Sequence, residues 1–146
     1  MIIRNNTHLL YIEPACAPAV TPVVDNITRK LAAAWRARSR DPVGDMAWLG
    51  WHDCTGGGGS CPAKSGNADY YVFGLVTHSL CVHYVAYHRA DVDQATLDLI
   101  ASWKIKGVKP SARELEGRWD GSTRSTRNPS SAWRWLRSKW SWPGSR

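Results

Sequence analysis

Aliphatic residues are scarce in this chain. Leucine, isoleucine, valine and phenylalanine together make up 27 of its 146 residues, with a single phenylalanine. Such poverty points towards disorder unless another residue type supplies buried area. Nine tryptophans and five tyrosines can do so, because each large ring buries more surface than an aliphatic side chain. Missing too is any apolar run near the roughly 20 residues that a membrane-spanning helix requires. The first residues lack the basic stretch and unbroken apolar segment of an export signal. These absences argue against a membrane-spanning or secreted chain and predict a cytoplasmic one. A third absence is local: residues 121–146 hold six Lys+Arg and no Asp or Glu.

What is present follows the same division. Net charge is +7, yet residues 1–100 carry 8 basic against 9 acidic side chains, whereas residues 101–146 carry 11 against 3. The length suits one compact domain with an appendage. We therefore expect a near-neutral compact domain over residues 1–109 and a basic, Trp-rich extension over 110–146. An extension of that charge suits nucleic acid, an acidic protein surface or an anionic membrane surface, the alternative being a solubilising tail. Without an export signal, Cys16, Cys54, Cys61 and Cys81 read as reduced thiols, and the Asn-x-Thr patterns at Asn5 and Asn26 carry no consequence.

Residues 8–13 read as a short strand ended by a Pro-rich run. Thr21 and Pro22 make a favourable helix start, after which Val24, Ile27, Leu31, Ala34 and Trp35 recur on one helical face that stops before Asp41-Pro42. Alternation over residues 46–54 predicts a strand with His52 and Cys54 on one side. Residues 56–67 read as a mobile loop, and residues 70–76, apolar on both faces, as a central strand hairpinned through that loop to the strand over residues 46–54. Helices are expected from Leu80 to about Arg89 and, capped by Asp91 or Asp93, through Trp103. A capping box at Ser111 and Glu114 starts a short helix that ends at Gly117. The fold class is α+β, a small antiparallel sheet of two or three strands packed with helices and stabilised by zinc.

Three of the four cysteines and four of the five histidines lie within residues 52–88. On a strand, His52 and Cys54 project from the same face. On a helix, Cys81 and His88, seven apart, share one. His52, Cys54, Cys81 and His88 are therefore the expected metal ligands, with Cys61 as a substitute, and thiolate with imidazole suits zinc. His83 turns about 200° from Cys81 and is the poorer candidate. The bland reading of the cluster is a buried cysteine and a core histidine.

Catalysis is the alternative. Cys81 near a helix start could be an activated nucleophile, with His52 as base and Asp53 or Asp69 orienting it. Residues 58–65 approximate a phosphate-binding loop, but Ala63 replaces its last glycine, Pro62 removes an amide donor and no helix-forming segment follows. In the tail, Arg124, Arg127, Arg134, Arg137 and Lys139 offer charge while Trp133 and Trp140 offer stacking surfaces, the combination that binds single-stranded nucleic acid. The sequence thus predicts a metal-stabilised protein that binds nucleic acid or another polyanion. The alternatives are a Cys/His-dependent enzyme, and an inhibitor or adaptor docking through Trp and Arg.

Overall fold

The computed structural model describes residues 2–4, 7–43, 52–66 and 68–117. Strands β1 (Ile2–Arg4) and β2 (Thr7–Leu9) pair antiparallel. Helix α1 (Asn26–Arg36) follows, then α2 (Gly56–Gly59), a single turn that Gly57 and Gly58 enter at positive φ. A tight hairpin of β3 (Tyr70–Val72) and β4 (Leu75–Thr77) leads into α3 (Cys81–Tyr87), a 3-10 turn (Arg89–Asp91), α4 (Gln94–Ser102) and α5 (Ala112–Leu115). The strands form one sheet in the order β1-β2-β4-β3.

The α+β class is that of the sequence reading, but the sheet is mixed rather than antiparallel, because β2 runs parallel to β4. Residues 70–76 are not one strand either. Phe73 and Gly74, at φ 48° and 88°, reverse the chain and pair Val72 with Leu75. Positive φ at both central positions gives a turn whose twist matches that of the flanking strands. The strand expected over residues 46–54 lies mostly outside the described residues. Its end, His52 to Cys54, pairs with residues 63–65 across the glycine turn through Cys54 N–H to Ala63 O (2.9 Å) and Ser65 N–H to His52 O (2.8 Å).

Helix α1 starts at Asn26 rather than near Pro22, because the Asp25 carboxylate accepts from the Thr28 amide at 3.0 Å and caps the first turn. Leu31, Ala34 and Trp35 then enter the main core with Val72, Leu75, Cys81, Val82, Val85 and Ile100. Trp35 meets Tyr70 edge to face at 5.8 Å, and the Arg38 guanidinium covers both rings, a packing that replaces missing aliphatic bulk with aromatic area. The capping box forms as expected at Ser111 and Glu114. Glu114 also takes a two-pronged pair from Arg36, with both nitrogens 2.7 Å from its oxygens. Residues 110–117, assigned to the extension by sequence, thereby pack onto α1 and α3. Among the described residues no helix is long and apolar enough to cross a membrane.

Candidate metal centre

Helix α3 serves two cores. Cys81, Val82 and Val85 face the main one, whereas Leu80 and Tyr84 join a smaller cluster with Cys54, Cys61 and Ala63. His83 lies at the edge of that second cluster. His88 is the first residue past the helix, and its φ of −121° and ψ of 38° turn it out of the helical path. Two cysteines flanking the glycine turn therefore meet His83 from within α3 and His88 from just past its end.

The contact is close. Cys54 Sγ lies 3.3 Å from His88 Nε2, and Cys61 Sγ lies 3.3 Å from His83 Nε2. One ligand atom from each of Cys54, Cys61, His83 and His88 falls within 4.8 Å of every other, and all four residues are buried. A tetrahedral ion with about 2.3 Å bonds to sulfur and about 2.0–2.1 Å bonds to nitrogen spaces its ligands roughly 3.4–3.8 Å apart. The four side chains could hold a metal ion with small adjustments.

Backbone hydrogen bonds explain why the loop closes here. Cys61 N–H donates to Gly56 O at 3.4 Å and Gly59 N–H donates to Thr55 O at 3.1 Å, so the glycine turn returns Cys61 beside Cys54. Gly56 is constrained by contact: a Cβ there would sit 2.2 Å from His88 Cε1. The histidines are held from behind as well. His83 Nδ1 is 2.8 Å from Leu115 O, which fixes the proton on Nδ1 and turns the Nε2 lone pair towards Cys61. His88 Nδ1 is 3.9 Å from the Asp91 carboxylate.

Electrostatics agree with a site built for uncharged imidazoles. Burial lowers the pKa of His83 and of His88, keeping both in the form that ligates metal. Burial also pushes the Cys54 thiol up to about 11, with nearby Cys61 reinforcing the shift. A cation would reverse that preference, since a coordinating thiol loses its proton.

Of the four residues expected to ligate, Cys54 and His88 are in the group, whereas His52 and Cys81 are not. His52 stacks on His78 at 5.0 Å, in an aromatic patch that also takes in Tyr11 and Tyr84. Cys81 is wholly buried in the main core, its thiol pushed up to about 12 chiefly by burial. The reason is helical phase: seven residues keep Cys81 and His88 in line only if the helix includes His88, and it stops at Tyr87. Cys61, held as a substitute, belongs to the group, and so does His83, which had been set aside. The signal that could have found His83 is the four-residue gap between it and His88, a common spacing in zinc sites.

A raised thiol pKa and full burial are the opposite of what activates a nucleophile, so Cys81 lacks the setting its catalytic reading needs. The nucleic-acid candidates Arg124, Arg127, Trp133, Arg134, Arg137, Lys139 and Trp140 lie outside the described residues. Compared with protein-family models, curated proteins and solved structures, the chain matches none.

Proposed function

We propose that this protein is a small zinc-stabilised binding module. Cys54, Cys61, His83 and His88 hold the ion, and the basic C-terminal region engages nucleic acid or another polyanion. The observation that carries the zinc reading is the convergence of two thiols and two neutral imidazoles, all buried, within 4.8 Å. Two thiolates neutralise the charge of a zinc ion, and four protein ligands leave no open position for substrate, the arrangement of a structural rather than a catalytic site. The binding reading is supported by the +8 balance of residues 101–146. Such a charge favours polyanions through counterion release.

The testing experiment is a metal analysis of protein purified without added zinc. About one zinc per chain is expected, and a chelator should lower the melting temperature, because the free energy of binding is free energy of folding. Metal-free protein that melts at the same temperature with and without zinc would overturn the reading.

A second reading, a Cys/His-dependent enzyme, is favoured by the two thiol–imidazole contacts at 3.3 Å. Rapid alkylation of Cys54 or Cys61 in metal-free protein at neutral pH, with no protection by zinc, would support it over the structural site.

A further inference from the structure

Two buried polar atoms beside the metal group lie close together, and neither has a side-chain hydrogen-bond partner. They are His88 Nδ1 and Asp91 Oδ2, 3.9 Å apart. An unsatisfied buried carboxylate oxygen is costly, and native structures rarely leave two complementary orphans side by side. The backbone has already brought these together. Asp91 N–H donates to His88 O at 2.9 Å, closing the 3-10 turn that sets the carboxylate three residues after the ligand and near its Nδ1. A shift of about 1 Å brings the pair to ordinary hydrogen-bond length.

We propose that Asp91 is the positioning residue of the metal centre, its carboxylate accepting a hydrogen bond from His88 Nδ1 when a metal occupies Nε2. The inference rests on the zinc reading above. An ion on Nε2 confines the imidazole proton to Nδ1, which is the donor that Asp91 Oδ2 lacks. Metal binding and the Asp91–His88 bond therefore strengthen each other. The two histidines are then backed differently, His83 by the neutral Leu115 carbonyl and His88 by a carboxylate, which makes His88 the more basic imidazole. The Cys16 carbonyl also accepts a hydrogen bond from the His88 ring, which favours its protonated form. As a main-chain group it is the same in every variant below.

Cobalt(II) added to full-length metal-free protein provides the test, with affinity measured by competition against a chelating dye. Wild type should take one cobalt per chain with a tetrahedral visible spectrum. Asp91→Ala should weaken cobalt by roughly 10- to 100-fold. Asp91→Asn, which keeps an acceptor oxygen without the charge, should lose less. Asp98→Asn, an exposed acid on α4, should lose nothing. The metal-free unfolding midpoint of Asp91→Ala should not fall below the wild-type value, since the variant removes an unsatisfied buried oxygen, whereas a merely structural role for Asp91 would lower it. The slowly exchanging Nδ1 proton of His88 that appears on metal loading should also vanish in this variant. Should Asp91→Ala fail to fold, Asp91→Asn carries the same comparison. Wild type that binds no cobalt overturns the zinc reading together with this inference. Wild type that binds cobalt, with Asp91 variants within twofold of it, overturns this inference alone.

Discussion

At the scale of single residues, two cysteines on either side of α3 make opposite predictions. Cys61→Ala removes a ligand and should abolish stoichiometric zinc. Cys81→Ala leaves a small cavity in the main core, costing about 1 kcal/mol or somewhat more with zinc content unchanged. Loss of metal in both variants would mean that the main core, rather than the four ligands, controls binding. His78 supplies a pH prediction. Burial, reinforced by nearby His52, lowers its pKa from 6.5 to about 4, so between those values the unfolded chain takes up a proton that the folded chain does not. Stability of the metal-free protein should then be fully present above about pH 6.5 and fall towards pH 4, by up to about 1.4 kcal/mol per pH unit. His83 and His88 act in the same direction. Urea denaturation across that range should give a shallower pH slope for His78→Gln, and an unchanged slope would remove His78 from the account.

Elements show which parts of the fold were legible. Caps were readable because they are local: Asp93 for α4 and the Ser111–Glu114 box for α5 are as expected, since each needs only residues three apart. The β3–β4 turn was not, because Phe73 occupies a positive-φ position usually given to Asn, Asp or Gly, which left Gly74 as the single sequence mark of the turn. Half of the metal group was legible from strand alternation and clustering. His83 was lost because Cys81 served as the reference ligand: the two do lie on opposite faces of the helix, but it is Cys81 that faces the main core, and which face meets the cysteines is decided by tertiary contacts. The glycine turn makes a sharp prediction of its own. Gly56→Ala should push His88 aside and lower both zinc affinity and melting temperature, as calorimetry with and without chelator would read. Where α1 meets α5, Arg36→Ala strands the fully buried Glu114 carboxylate and should cost about 3 kcal/mol. The Ser111 amide remains to Glu114 and Arg36 is itself partly exposed, which holds the cost near the low end for a broken buried pair.

For the whole molecule, the division of charge predicts where salt acts. Binding to an oligonucleotide should weaken steeply with salt, each neutralised phosphate adding roughly 0.7 to 0.9 to the log–log slope, and a chain ending at residue 117 should lose that dependence. Salt-insensitive binding would exclude the basic region as the contact. The parallel pairing of β2 with β4 bears on how the chain is made. His8 finds its partner in Leu75, so the strand near the start of the chain cannot be completed until most of the compact part has been synthesised. At about 5–20 residues per second, that strand waits several seconds with its edge open. Cys54 and Cys61 emerge within that interval, whereas His83 and His88 follow only after Leu75. A nascent chain therefore carries unligated thiols and an open strand edge together from the appearance of Cys61 to that of Leu75, and unligated thiols alone until His88, the stretch in which a chaperone or early metal delivery would raise the yield of folded protein.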